Sequence, residues 1–125
     1  MAGLTLDAGA LIGYERGDHR VRAWLEEAFE RAAVPTVPSV VVAQTWRGGR
    51  TARIARLLKV CQVEVLDDAL AREAGALLAR SGTSDVADAI VVVSAARRRD
   101  VVLTSDPGDI GALAAMCEGV GVRAL

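Results

Sequence analysis

The chain has 125 residues, 52% of them hydrophobic, and its 15 basic and 16 acidic residues leave a formal net charge of −1. That length and apolar fraction predict one folded domain over residues 1–125 and exclude a disordered chain. The charge balance excludes a basic coat for nucleic acid but allows a local basic patch.

Leu4 to Leu6 is the first predicted strand. A short helix from about Gly9 to Glu15 follows, and Gly17 breaks it. Asp18 caps a predicted helix across Val21 to Arg31, with Val21, Trp24, Leu25 and Ala28 on one face. Val34 to Val37 reads as a second strand, and Ser39 as the cap of a helix that ends at Gly48-Gly49. A further helix runs from about Thr51 to Leu58, and Val63 to Leu66 is a third strand. Asp67 or Asp68 caps the next helix, lined by Leu70, Ala74, Leu77 and Leu78 and ended by Gly82. Thr83 or Ser84 opens an apolar helix over Val86 to Ala96. Val101 to Leu103 is a fourth strand, Asp106-Pro107 starts a helix, and Val120 to Ala124 is a fifth strand. Strands alternating with helices predict an α/β fold, a mostly parallel sheet of about five strands with helices on both faces. Such sheets bind ligands outside the carboxyl ends of their strands.

The residue inventory narrows the chemistry. His19 is the only histidine, so a histidine zinc site or a Ser-His-Asp triad is not expected. Cys61 and Cys117 stand apart and read as reduced thiols. The N-terminus lacks the basic start and long apolar stretch of a signal peptide, and no apolar run can span a bilayer. A cytoplasmic protein with no membrane contact is expected. Chemistry therefore falls to carboxylates. Asp7 follows the first strand and Asp106 the fourth, which places both on the ligand edge of the sheet. Asp85 and Asp88 share roughly one helix face, and Asp109 lies three residues beyond Asp106. Helix capping accounts for Asp109, whereas for Asp85 capping and a functional role weigh evenly. Asp88 is different: it stands in a run of Val, Ala and Ile, where an unpaired charge is costly. With one histidine and one lysine in the chain, a divalent cation is the natural partner. Carboxylates around such an ion can activate water and stabilise charge on a phosphate.

Four blocks carry a resemblance: Leu6-Asp7-Ala8-Gly9-Ala10-Leu11-Ile12, Val42-Ala43-Gln44-Thr45-Trp46-Arg47-Gly48-Gly49, Gly82-Thr83-Ser84-Asp85-Val86-Ala87-Asp88-Ala89 and Val102-Leu103-Thr104-Ser105-Asp106-Pro107-Gly108-Asp109. In this order and spacing the chain resembles the PIN-domain ribonucleases, most closely the toxin of VapBC toxin–antitoxin pairs. The resemblance implies a metal-dependent endoribonuclease that hydrolyses RNA with Mg²⁺ or Mn²⁺. It further implies Asp7, Asp88 and Asp106 as catalytic metal ligands, with Asp85 as a neighbouring ligand and Asp109 as a peripheral support. Thr104 and Ser105 match small hydroxyl residues of the family's pocket. A homodimer and a cognate antitoxin laid over the acidic crevice are the implied partners. One position departs: Gln44 stands where the family usually carries Glu. Its carbonyl can still face a hard cation, but one negative charge is gone, which weakens metal binding. A weakly active or inactive RNA- or protein-binding module is therefore the alternative.

Arg47, Arg50, Arg53, Arg56 and Lys59 recur at every third position with no acid between them. They read either as a solvated face or as a stripe that tracks RNA phosphates, beginning beside Trp46. Trp46 itself reads as a stacking platform or as partly buried packing. Arg97-Arg98-Arg99 reads as a helix C-terminal cluster. Two other folds with acids at strand ends fit poorly. A receiver domain needs a late lysine, whereas Lys59 is mid-chain, and a haloacid-dehalogenase-type phosphatase needs Asp-x-Asp where this chain has Asp7-Ala8-Gly9.

Overall fold

A computed structural model describes residues 2–125. Five strands, β1 (Leu4–Leu6), β2 (Thr36–Pro38), β3 (Gln62–Glu64), β4 (Val101–Thr104) and β5 (Gly121–Ala124), form one sheet in the order β3-β2-β1-β4-β5, every pair parallel. The helices are α1 (Ala8–Glu15), α2 (His19–Glu30), α3 (Ser39–Thr45), α4 (Ala52–Leu58), α5 (Asp68–Ser81), α6 (Val86–Arg98) and α7 (Pro107–Ala114). The chain winds outward from β1 through β2 to β3, then returns to the other side of β1 as β4. Right-handed crossovers in opposite directions put helices on both faces. Accordingly α1 packs with α2 and α4, while α6 packs with α5 and α7. The short α3 touches both α1 and α6.

Burial explains the strand choice. All of β1 is buried, as are Val102, Leu103 and Thr104 of β4, between helix faces built on Leu11, Leu25, Val92 and Ile110. Several boundaries differ from the sequence reading, each for a local reason. Strand β2 begins at Thr36, leaving Val34 exposed, and β3 is Gln62–Glu64, leaving Val65 and Leu66 outside. Ser39 does not cap α3. Pro38 holds that position without a side-chain bond, and Ser39 Oγ accepts from the Leu66 backbone N–H at 3.1 Å. Helix α3 stops at Thr45, whose hydroxyl donates back to Val41 O at 2.9 Å, and Trp46 turns extended. A 3₁₀ turn over Gly48–Arg50 then leads into α4. Helix α6 is capped by Asp85 rather than Thr83 or Ser84: its carboxylate accepts from the Asp88 backbone N–H at 3.0 Å.

The lower end of α6 is fastened by Arg98. Its guanidinium donates to Asp100 (2.9 Å), Glu64 (2.8 Å), the Thr5 hydroxyl (2.9 Å) and the Ser94 hydroxyl (2.9 Å), and Thr5 in turn donates to Asp100 at 2.9 Å. Thr5, Ser94 and Asp100 are buried, and these bonds satisfy them. Arg97 pairs with Glu73 at 3.0 Å, and Arg99 ends the helix in the left-handed conformation. The triple-arginine cluster is thus an anchor for α6. Ten residues of helix at about 1.5 Å each carry that anchor to Asp88, roughly 15 Å away on the opposite edge of the sheet.

Gly9 is required by a close approach. A Cβ there would lie 2.6 Å from Ser105 Cβ and 3.0 Å from the Ser105 backbone nitrogen. Gly9→Ala is therefore expected to lower stability by about 1–3 kcal/mol, through forced displacement of the turn after β4. Urea unfolding of the variant beside the wild type checks this.

Candidate active site

The switch in strand order falls between β1 and β4, and their carboxyl ends deliver Asp7 and Asp106 to one crevice. Asp7 caps α1, its Oδ1 accepting from the Ala8 backbone N–H at 2.8 Å. Its Oδ2 accepts from the buried Thr104 hydroxyl at 2.7 Å. Thr104 Oγ1 also accepts from the Asp106 backbone N–H at 2.9 Å. One threonine thereby ties the end of β1 to the turn after β4. Asp106 caps α7, accepting from the Asp109 backbone N–H at 3.4 Å. Ser105 is exposed and packs against Gly9.

Asp88 enters this crevice from the first turn of α6. It is 8% exposed, and its Oδ2 is buried without a hydrogen-bond partner among the described residues. Burial, then the charges of Asp85, Asp7, Asp106 and Asp109, push its carboxyl up to about 7. One carboxylate oxygen each from Asp88, Asp106 and Asp109 lies within 4.8 Å of the others. Asp109 therefore lies with the cluster and is also the acid in the first turn of α7, whose N-cap is Asp106. Asp7 and Asp85 stand outside this closest group: Asp7 borders it from β1, and Asp85 has one oxygen engaged as the cap of α6.

These residues fit a hard divalent cation. The donors are carboxylate oxygens close enough to share an ion, and one buried oxygen has no partner among the described residues. Gln44 lies exposed on α3, the helix that touches both α1 and α6, and its amide forms no hydrogen bond among the described residues. A cavity of about 350 Å³ opens beside the cluster, with Asp88 and Asp109 in its wall. Sequence reasoning did not find this cavity. Thr83 and Ser84, which line it, stand in the third of the four resemblance blocks and read otherwise as a helix start.

The arginine series does not lie on one helix. Arg47 follows α3, Arg50 ends the 3₁₀ turn, and Arg53, Arg56 and Lys59 belong to α4 and its end. All five are exposed. Arg47 folds back onto Trp46 O at 2.6 Å, and Arg53 reaches Glu15 O at 3.3 Å. Trp46 is 43% exposed. The two cysteines are free, and burial pushes the Cys61 thiol up to about 11, consistent with an inert thiol. No helix among the described residues is long and apolar enough to cross a membrane.

The sequence matches the PIN domain over residues 4–114, and the chain belongs to that family. PIN domains are generally nucleases that use divalent metals. The fold is similar to a chain of VapBC2 from Rickettsia felis bound to a DNA fragment from their promoter, with a TM-score of 0.75, 10% identity and 98% of each chain covered. It is also similar to a chain of DNA-bound VapBC from Salmonella typhimurium, with a TM-score of 0.69, 17% identity, and 99% of this chain and 98% of that one covered. A toxin-antitoxin complex from Klebsiella pneumoniae contains a third similar chain, with a TM-score of 0.69, 16% identity, and 99% and 100% covered. No curated protein matches in sequence.

Proposed function

We propose that this PIN domain is a Mg²⁺- or Mn²⁺-dependent endoribonuclease and the toxin of a toxin–antitoxin pair. The observation that carries the reading is Asp88: a buried carboxylate with an unpartnered oxygen, facing Asp106 and Asp109 at the strand-order switch. Asp88, Asp106 and Asp109 hold the ion, and Asp7 closes the site from β1. The ion supplies charge stabilisation at the scissile phosphate and activation of water. The chain's own residues position and bind. Thr104 fixes Asp7 and the Asp106 backbone relative to each other, so the two strand ends present their carboxylates together. Ser105 borders the same turn. Arg47, Arg50 and Arg53 contact RNA phosphates, and the exposed Trp46 stacks on a base.

Likeness in fold to chains of the three toxin–antitoxin complexes supports an antitoxin as partner. We further propose that the antitoxin covers the acidic crevice and that the toxin is a cytoplasmic homodimer. The test is incubation of purified protein with a mixed RNA pool in Mg²⁺, in Mn²⁺ and in chelator. Cleavage that needs the ion supports the reading, and intact RNA in all three sinks it. Gln44 favours a second reading, a PIN-fold module that binds RNA or protein and cuts weakly or not at all; RNA retained but uncut would select it.

The arginine stripe has its own expected result. Arg50→Ala with Arg53→Ala should weaken binding to RNAs of every sequence alike. The slope of log affinity against log salt should fall by roughly 0.7 for each phosphate that is no longer neutralised. Filter binding over a salt series measures both.

A further inference from the structure

The cavity beside the acidic cluster has a chemistry that differs from the cluster's own. Its floor is apolar, made by Ala112, Leu113 and Met116 at the end of α7. Its rim is the loop between α5 and α6, with Thr83, Ser84 and Asp85. At about 350 Å³ it sits at the small end of ligand pockets, so it suits one ring system rather than a helix or a folded peptide. Asp88, more than nine-tenths buried and with an unpartnered oxygen, forms part of its wall and joins it to the cluster.

The rim is rich in acceptors. Ser81 Oγ lies 3.2 Å from Leu78 O, which accepts from it, and 2.8 Å from Thr83 Oγ1, where either hydroxyl can donate. In either sense Thr83 Oγ1 keeps a lone pair for a further donor. One oxygen of Asp85 accepts from Asp88 N–H, and the other is free to accept. Met116, part of that apolar lining, is half-exposed, and a thioether is well suited to pack against an aromatic ring. An apolar slot with acceptors along one edge matches a flat base that presents adjacent N–H donors.

Resting on the ribonuclease reading, we propose that this cavity takes one unpaired base of the RNA beside the scissile phosphate, with guanine preferred. Guanine brings N1–H and its amino group to one edge, facing Thr83 and Asp85, while Met116 packs on the ring. Sequence-specific RNA recognition uses bases splayed out of single strands in this way. Uracil places its single N–H between two carbonyls, which face the acceptor rim unfavourably.

Met116 also supplies the probe, since the chain has only two methionines, Met1 and Met116. With the methionine methyl groups labelled with ¹³C, guanosine should move the Met116 signal and saturate about tenfold more tightly than uridine. Ala112→Phe, which fills the cavity from α7 and replaces none of its carboxylates, should abolish the shift. It should also erase the base preference at mapped cleavage sites. A Met116 signal that no nucleoside moves, or that all four move equally, overturns the proposal; so do cleavage sites unchanged in Ala112→Phe. Metal-dependent cleavage in the same preparation then leaves the ribonuclease reading standing. Guanosine binding by a protein that cuts no RNA gives the opposite separation.

Discussion

Asp88→Asn is expected to make the metal-free protein more stable at pH 8 while removing ion-dependent RNA cleavage, a loss on the order of 10²–10³-fold or more. The two effects have one cause. In the fold, burial and four neighbouring carboxylates hold the Asp88 proton up to about pH 7, against 3.8 for an ordinary Asp. The unfolded chain loses that proton near pH 4 and the folded chain near pH 7. Between those limits the folded state binds more protons, so the stability due to Asp88 is fully present below pH 4. It declines as pH rises through 7. The wild type without metal should therefore lose thermal stability from pH 5 to pH 8, and Asp88→Asn should flatten that slope. Excess Mg²⁺ should restore the wild type above pH 7, by binding the ionised cluster of the folded state alone. Melting curves over pH, with and without Mg²⁺, measure all of this. A less stable Asp88→Asn protein at pH 8 would show that the carboxylate is needed by the fold rather than held at its expense.

Gln44→Glu is expected to tighten Mg²⁺ or Mn²⁺ binding about tenfold, the change that 1.4 kcal/mol of added charge–ion attraction gives. The glutamine is exposed, and its amide has no hydrogen bond among the described residues, so substitution removes no bond and leaves no buried group unpaired. Cleavage should rise with occupancy at low metal and converge with the wild type at saturating metal. Titration calorimetry gives the affinity and a metal series of cleavage rates gives the convergence. Equal affinities in the two proteins would place Gln44 too far from the ion to matter. A gain in rate that persists at saturation would give its side chain a role beyond holding metal.

The parts of the site that the sequence made legible are those fixed by local rules. Asp7 and Asp106 directly follow apolar strands, so their edge of the sheet follows from strand direction alone. Asp88 stands out because a charge within Val-Ala-Ile surroundings needs a reason. Asp109 was not separable from a capping residue. Three residues into a helix, a ligand and a first-turn acid share one sequence position, and only the packing of α7 against α6 brings Asp109 to Asp88. The cavity was invisible for a different reason. Its rim and floor are about thirty residues apart, and they meet only because α6 and α7 pack side by side. The role of Arg98 also escaped a reading of Arg97-Arg98-Arg99 as one cluster. Its partners Thr5 and Glu64 come from other strands, and no spacing in the chain announces them. The end of α3 is not legible either: the Gly48-Gly49 pair reads as the stop, while the Thr45 back-bond and the extended Trp46 end the helix earlier.

The most direct test of the carboxylate centre is an anomalous-scattering map from crystals grown with Mn²⁺. One Mn²⁺ peak among Asp88, Asp106 and Asp109, with Asp7 at its border, is the expected result. Crystals that show no Mn²⁺ at Asp88 under saturating metal, or that place the ion away from the β1–β4 crevice, would contradict it.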